Sequence, residues 1–323
     1  IKYAHRSANH WQSETVDQCD DTVCYSALVV DTNGNPWISY NTVGDGNGSL
    51  KLAHWNGSAW EIQTVDSVSG FNLTTSIALD EQGNPHISYQ KGGLRYAAWT
   101  GSSWQIQVVD NQGIVGAYNS LALDRAGHAH ISYQDVDTHS LKYAHWTGSN
   151  WDIRTVDNEG VAGLYTSLAL DHDDHPHISY HTASLAGDLR YAYWTGNTWR
   201  LETVDSTGYT GLFTSLALDA NDEPHISYGR SVTDLDRANA LMLAHRRDKR
   251  WEIQTIVADQ EAGVRATNLA LDAFGLPQIS YYDNGNLRYS YLLPPLALDL
   301  QATPSEDLQS GDILTFTLTL SAP

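Results

Sequence analysis

Residues 167–180 read Ser167-Leu168-Ala169-Leu170-Asp171-His172-Asp173-Asp174-His175-Pro176-His177-Ile178-Ser179-Tyr180. Two short runs of mixed apolar and polar residues flank a polar turn, which is the pattern of a β-hairpin. The same phrase, with small changes, returns every 44 to 53 residues, with its Asp at Asp31, Asp80, Asp124, Asp171, Asp219 and Asp272. A repeat of this length is typical of the four-stranded blades of a propeller.

Each repeat contains two more predicted strands. A third strand such as residues 141–146 and a fourth such as 151–157 are rich in β-branched and aromatic residues, and they flank the turn 147–150. No segment carries a sustained helical period. The sequence therefore predicts an all-β fold, a six-bladed β-propeller of four-stranded blades that covers residues 1–293.

The order of the strand sequences predicts how the ring closes. The chain begins with a third-strand sequence at residues 1–5 and a fourth at 11–17, and the last repeat ends with a third strand at 287–292. We expect the N-terminal fourth strand to complete the last blade, because closing a ring in this way removes exposed sheet edges. The two third-strand sequences then compete for one place, and the displaced copy should fray or pair elsewhere.

The turn Asp-x-x-Gly-Asn, at residues 31–35 and 80–84, resembles the inner hairpin of NHL-type and related bacterial propeller repeats. That resemblance implies a propeller. The second strand here ends in Ser-Tyr, where the NHL repeat has Ala-Asp, so no NHL ligand is carried over. The turn of sialidase-type propellers is not matched either, because residues 31–37 have one residue too many between Asp and Gly.

The pattern changes after Pro294-Pro295, and residues 294–323 are predicted to be a linker with a short β segment. The string 311–317 resembles the opening of the Ig-like repeats of bacterial surface proteins. Two strands cannot bury a core alone, so their apolar stripe needs either the rest of an Ig-like domain or a neighbouring sheet edge. The predicted assembly residues are Ile313, Leu314, Phe316, Leu318 and Leu320.

Charge and cysteine content indicate an extracellular or cell-surface protein. The chain has 18 Lys and Arg against 38 Asp and Glu, a formal net charge of −20, which disfavours nucleic acid and anionic membranes as partners and would suit calcium. No apolar run has the length of a membrane span. Cys19 and Cys24 are predicted to form a disulfide in an oxidising compartment, which we favour over a zinc site.

Histidine and tryptophan recur at fixed repeat positions, which favours structural roles. One set of histidines is His86, His130, His177 and His225, and another is His5, His54, His145 and His245. Equivalent positions of different blades spread around a ring, so no metal site is predicted; the dense stretch 172–177 would at most trap an ion adventitiously. Pairs such as Trp146 and Trp151 are predicted to clamp the outer hairpins, with sugar stacking as the alternative.

The sequence predicts that the protein is not an enzyme. The innermost strands of a propeller begin at the channel mouth, and here those starts are neutral and polar, as at Thr166-Ser167. The recurrent Asp residues fall at strand ends, where capping of turns explains them. No nucleophile elbow, zinc-protease helix or phosphate-binding loop is present.

Residues that differ between blades predict the ligand site, since repeated residues build the blades. The loops after the second and fourth strands share one face. The candidate ligand-binding residues there are Tyr118, Asp135, Asp137, His139, Tyr165, His181, Tyr209, Phe213, Tyr282 and Asp283. An acidic rim with aromatic residues suits a glycan or a protein. The first hypothesis is a non-catalytic adhesion module, and no cofactor other than calcium is expected.

Two alternatives remain. In the first alternative, the chain is a structural subunit of a fibre, sheath or surface layer, and its N-terminal or C-terminal strand completes the sheet of a neighbour. A polysaccharide hydrolase or lyase is the third hypothesis, and it would need an acidic pair at the channel mouth.

Overall fold

The structure is a computed structural model that describes residues 1–7, 10–18, 25–42, 48–68, 74–183, 187–231, 238–258 and 263–292. These residues form 25 β-strands and no helix. The strands build a six-bladed β-propeller in which blades 1–5 are four-stranded antiparallel sheets with the strands in chain order. The predicted fold class is confirmed. No helix in the described ranges is long and apolar enough to cross a membrane.

The strand bounds follow the repeat. The N-terminal hairpin contains β1 (Lys2–Ser7) and β2 (His10–Thr15). Blade 1 contains β3 (Ser26–Val30), β4 (Pro36–Thr42), β5 (Gly48–Trp55) and β6 (Trp60–Val68). Blade 2 contains β7 (Thr75–Leu79), β8 (Pro85–Gln90), β9 (Leu94–Trp99) and β10 (Trp104–Asp110). Blade 3 contains β11 (Val115–Leu123), β12 (Ala129–Asp135), β13 (Ser140–Trp146) and β14 (Trp151–Asp157).

The second half of the ring continues the same order. Blade 4 contains β15 (Leu164–Leu170), β16 (Pro176–Thr182), β17 (Asp188–Trp194) and β18 (Trp199–Asp205). Blade 5 contains β19 (Tyr209–Leu218), β20 (Pro224–Ser231), β21 (Ala240–Arg247) and β22 (Arg250–Ala258). Blade 6 contains β23 (Arg265–Leu271), β24 (Pro277–Asp283) and β25 (Asn286–Tyr291).

The N-terminal hairpin closes the ring as a unit of its own. Its Trp11 packs edge-on against Tyr289 of blade 6, with ring centroids 5.3 Å apart, and its Tyr3 packs against Trp60 of blade 1 at 5.5 Å. Within the described ranges β2 pairs with β1 and not with β25, so both third-strand sequences form strands. The expectation that the N-terminal fourth strand completes the sheet of the last blade is therefore wrong for the described residues, because pairing with its sequence neighbour β1 closes a shorter loop.

The hydrophobic core is repeated between blades. Leu121 and Ile131 of blade 3 share one buried cluster with Leu94 and Tyr96 of blade 2. Blade 1 is the exception on its open side, where Leu28 of β3 is 53% exposed although its equivalent Leu121 is only 7% exposed. The N-terminal hairpin supplies no inner strands, so β3 lacks the cover that other inner strands have.

Hydroxyl groups of the repeat join each blade to the next. The Tyr that ends the second strand donates to the Asp that ends the previous fourth strand, as Tyr180 does to Asp157 at 2.6 Å. Equivalent bonds of 2.6 to 2.7 Å join Tyr40 to Asp17, Tyr89 to Asp66, Tyr133 to Asp110 and Tyr228 to Asp205. Blade 6 departs from this pattern, because the residue 23 positions before Tyr281 is Ala258.

Serine residues complete the links between blades. Ser120 accepts the backbone N–H of Leu168 in the next blade at 3.0 Å, and Ser132 pairs with the hydroxyl of Thr166 at 2.8 Å. The first of these bonds satisfies a backbone group on the inner edge of a sheet, which would otherwise be an open edge. The Ser and Tyr of the repeat therefore serve the contact between blades.

The remaining polar residues of the repeat stabilise its first turn. The Oδ1 atom of Asp171 accepts the backbone N–H groups of Asp173 and His175 at 2.8 Å. Burial opposes ionisation, but these bonds hold the pKa of Asp171 below its usual range. His177 lies beneath the turn, with Nδ1 bonded to the Tyr191 hydroxyl and Nε2 3.3 Å from Asp171. The predicted capping role of this Asp is confirmed.

The tryptophan pairs clamp the outer hairpins as predicted. Trp146 and Trp151 have ring centroids 5.4 Å apart, and Trp194 and Trp199 are 5.7 Å apart. The predicted disulfide of Cys19 and Cys24 lies outside the described residues, and so does the tail 294–323 with Ile313, Leu314, Phe316, Leu318 and Leu320. These remain predictions.

We expect Tyr180→Phe to lower the free energy of unfolding by about 1.5–3 kcal/mol, because it leaves the buried Asp157 carboxylate without its hydroxyl donor. Tyr281→Phe is the matched control, since Ala258 stands where the other blades have Asp. Its effect should stay within about 0.5 kcal/mol in the same urea titration. Equal losses in the two variants would contradict the role given to this bond.

Buried histidines should make the fold sensitive to acid. Burial lowers the pKa of His86 and of His177 below the ordinary value of about 6.5, against the opposing effect of Asp80 and Asp171. The unfolded chain therefore takes up protons at a higher pH, and the free energy of unfolding should fall as the pH drops from about 7 to 5.

The variant His177→Gln tests this cause, because Gln278 holds the equivalent position in blade 6. Urea titrations across the pH range should show a smaller decrease for the variant than for the natural sequence. A decrease of unchanged size would rule His177 out as a contributor.

Candidate functional site

Three of the predicted ligand residues meet at the loop face, the end of the blades with the loops after the second and fourth strands. Tyr165 packs against Tyr118 with ring centroids 4.8 Å apart and against Phe213 at 4.7 Å. All three have a positive φ of 51 to 56° at the start of an innermost strand, which turns their rings toward one another. The result is a row of half-buried aromatic rings at the channel mouth.

Other predicted residues of this face contribute to the blades themselves. Asp135 is buried and pairs with Lys142 at 2.9 Å, and the Oδ2 atom of Asp137 accepts the backbone N–H of Ile114 at 2.9 Å. His139 has a φ of 55° in the tight loop between β12 and β13. These side chains and their partners build the loop of one blade.

His181 and Tyr209 lie together around a glycine. The Nδ1 atom of buried His181 lies 2.7 Å from the carbonyl oxygen of Thr210. A Cβ atom at Gly187, whose φ is +64°, would lie 2.7 Å from the His181 ring and 3.1 Å from that of Tyr209, so the backbone needs glycine there.

The last two predicted residues lie on blade 6, outside the aromatic row. Tyr282 is exposed, and Asp283 forms an ion pair of 3.6 Å with Arg288. The structure thus brings Tyr118, Tyr165 and Phe213 together, with the His181 ring 6.2 Å from that of Tyr165, but the ten predicted residues do not form a single pocket.

The opposite end of the blades carries the turns after the first and third strands, and we call it the turn face. A cavity of about 520 Å³ opens here at the end of the channel, lined by Asp80, Asp124, Asp171 and Asp219 from four successive blades. Each of these carboxylates accepts backbone N–H groups of its own turn. The acidic ring is therefore part of the scaffold.

A second cavity of the turn face, about 310 Å³, lies between blades 3 and 4, and we call it the cleft. Blade 3 contributes His130, Tyr143, His145, Asp152 and Arg154, and blade 4 contributes Asp174, His175, Pro176, Trp194, Gly196 and Trp199. Indole faces, a guanidinium and carboxylates thus share one concave surface. This is the mixture of ring faces and polar groups that binds polar organic ligands.

Arg154 makes this cleft different from the contacts between other blades. The indole Nε1 of Trp151 donates to Gln107 of the previous blade at 3.0 Å, and that of Trp251 donates to Glu202 at 2.9 Å. Arg154 has the equivalent position in blade 3, facing Trp199 of blade 4. Its guanidinium offers only hydrogen-bond donors. The buried Nε1 of Trp199 has no hydrogen-bond partner among the described residues, and neither has that of Trp60 or Trp104 at the same position of blades 1 and 2.

The guanidinium of Arg154 is held in place at the cleft. Its Cζ lies 5.0 Å from the centre of the Trp194 ring, and its Nη2 is 2.7 Å from Asp152. Stacking and an ion pair together restrict the long side chain, and its remaining N–H groups are available to a ligand. The cleft therefore presents ordered donors beside a carboxylate.

Sequence reasoning missed the cleft. The sequence did contain a signal for it, at the third residue after the Trp of each fourth strand. In blades 1–5 this residue is, in order, Gln63, Gln107, Arg154, Glu202 and Gln254. A cation stands there in blade 3 alone. What could not be read from the sequence is that this position faces the Trp of the next blade.

No model of a known protein family matches the chain, and no curated protein sequence matches it. The fold is that of a six-bladed β-propeller, and solved structures of this class resemble it at low identity. AofleA from Arthrobotrys oligospora is 15% identical, with a TM-score of 0.56, and the match covers 84% of this chain and 83% of that one.

The Aleuria aurantia lectin, solved in complex with Fucα1-6GlcNAc, is 12% identical with a TM-score of 0.52 and covers 84% and 94% of the two chains. A leech intramolecular trans-sialidase is 10% identical with a TM-score of 0.56, at 86% and 70%. Similarity at this level extends to the fold alone.

Proposed function

We propose that this protein is a non-catalytic, extracellular glycan-binding propeller whose ligand occupies the cleft between blades 3 and 4. The observation that carries the proposal is the cleft itself, in which the Arg154 guanidinium stacks on Trp194 near the unpartnered indole N–H of Trp199. Sugar hydroxyls and ring oxygens supply acceptors, and the apolar faces of sugar rings pack on indoles.

Each wall of the cleft has a separate task in this proposal. Arg154 and the Nε1 of Trp199 donate hydrogen bonds, Asp152 accepts from hydroxyl groups, and Trp194 offers apolar surface. The lectin among the similar structures makes a fucosylated glycan the first ligand to test. The predicted loop-face residues remain a second candidate surface for the same function.

We expect Arg154→Gln to abolish retention on a glycan array. Gln occupies this position in three other blades, so the variant should fold normally while it returns an acceptor to Trp199. Tyr165→Ala is the matched loop-face variant, because Ala266 has the equivalent place and a similar φ of 51°.

Loss of binding in Tyr165→Ala with full binding in Arg154→Gln would move the site to the loop face. Release of the fluorophore from 4-methylumbelliferyl sialosides by the natural protein would contradict a non-catalytic role and favour the hydrolase hypothesis.

The uncovered strand β3 favours a second candidate function, assembly through strand addition. Leu28 and Val30 are 53% and 50% exposed beside the N-terminal hairpin. An inner strand without cover is a place where another chain can add a strand, and the predicted apolar stripe at Ile313–Leu320 would supply one.

Light scattering of the full chain at rising concentration should then show oligomers that Leu28→Ser shifts toward the monomer. The control is Ile106→Ser, since Ile106 is 42% exposed on the outer strand of blade 2. A natural chain that stays monomeric at every concentration would exclude this second function.

A further inference from the structure

Three potential metal ligands converge at the first turn of blade 3, and a further histidine lies beside one of them. The Oδ2 atom of Asp124 lies 3.2 Å from Nδ1 of His128 and 3.6 Å from Nε2 of His130. His145 joins them from the adjacent strand, because β12 and β13 pair in a register that sets His130 opposite His145. The ligand atoms of Asp124, His130 and His145 all lie within 4.8 Å of one another.

Two imidazole nitrogens of this group are buried without a partner. The side chain of His130 is only 5% exposed, and its Nδ1 is bonded to the Tyr143 hydroxyl at 2.5 Å. That bond directs Nε2 toward Asp124, and the Nε2 atoms of both His130 and His145 are buried with no hydrogen-bond partner among the described residues. A buried polar atom in this state costs about 1–3 kcal/mol unless something binds it.

The distances from Asp124 to His128 and to His130 suit a tetrahedral ion. Ligand atoms about 2.0–2.2 Å from a tetrahedral Zn²⁺ lie about 3.3–3.6 Å apart, close to the separations of Asp124 from His128 and His130. Imidazole nitrogens and one carboxylate are ligands that Zn²⁺ accepts, whereas Ca²⁺ takes oxygen ligands. The Tyr143 bond to His130 matches the outer-shell contact that orients metal-binding histidines.

We propose that Asp124, His130 and His145 bind one Zn²⁺ ion or a similar divalent transition metal, with His128 as a neighbour of Asp124 at the edge of the site. The site lies at the wall of the cleft, which His130 and His145 help to line. It does not depend on the proposed glycan binding, because no ligand other than the metal enters the argument.

Other blades differ from blade 3 at the equivalent positions, either in the residues or in the distances between them. Blade 2 has Asn84 and Ala98 in place of His128 and His145, and blade 4 has Tyr193 in place of His145. In blade 5 Glu223 replaces His128, and the distance from His225 to Asp219 is 3.8 Å. The two sets of repeated histidines, represented by His130 and His145, meet within blade 3. The sequence argument compared equivalent positions of different blades and therefore overlooked this contact.

These differences also supply variants that the fold already tolerates. His145→Ala reproduces Ala98 of blade 2, and His128→Asn reproduces Asn84. The matched control is the double variant His172→Ala/His175→Ala, which removes the exposed histidines of the turn of blade 4. Thermal unfolding without metal verifies that each variant is folded.

Calorimetric titration of the chelator-treated full chain with ZnSO₄ should show one ion per chain. His145→Ala should weaken binding by at least about tenfold, His128→Asn should weaken it less, and the double control should bind as the natural chain does. The visible spectrum of the Co²⁺-loaded chain should change in His145→Ala and not in the control.

Unchanged affinity in a folded His145→Ala would overturn the proposal. Loss of binding in the double control alone would overturn it as well, because the ion would then be held adventitiously by the stretch 172–177. Neither result bears on retention of glycans by the metal-free chain, so the two proposals fail separately.

Discussion

The buried bond from a tyrosine hydroxyl to the aspartate of the previous blade is the constraint on which the ring depends. Tyr180 and Asp157 are both almost fully buried, and the other Asp157 oxygen accepts the backbone N–H of Glu159. One carboxylate therefore fixes both the end of a blade and the angle of the next. A charged group that is buried in this way is costly unless its partners stay in place, so the bond selects one geometry.

The inner strands carry the contacts between blades, and this explains why the surface that varies between blades is on the outer hairpins. The inner strands need their Ser, Tyr and Asp for contacts between blades, and their sequences change little around the ring. The fourth strands face the next blade through an indole, and the position that holds the acceptor Gln107 in blade 2 holds Arg154 beside the cleft in blade 3. One position of the repeat can thus carry a different chemical group in one blade while the inner strands keep their contacts.

The repeat made the fold predictable from the sequence. The candidate sites were less predictable, because they depend on contacts between residues that are far apart in the chain. The spacing of the Asp residues gave the number of blades, and the polar turns gave the inner hairpins, because those signals are local in the sequence. The register that sets His130 opposite His145 and the contact of Arg154 with blade 4 are non-local. The rings of Tyr118 and Tyr165 at the channel mouth were predictable only in part. Their place in the repeat indicated the face on which they lie, but not that they contact each other.

The absence of an aspartate before Tyr281 has a consequence for how the ring opens. Five junctions are joined by a charge-assisted bond that is buried or partly buried, and at the junction of blades 5 and 6 the residue 23 positions before the Tyr is Ala258. Local opening is easiest where such bonds are missing, and each opening exposes the next sheet face in turn. The junction of blades 5 and 6 is therefore where we expect the ring to open locally first.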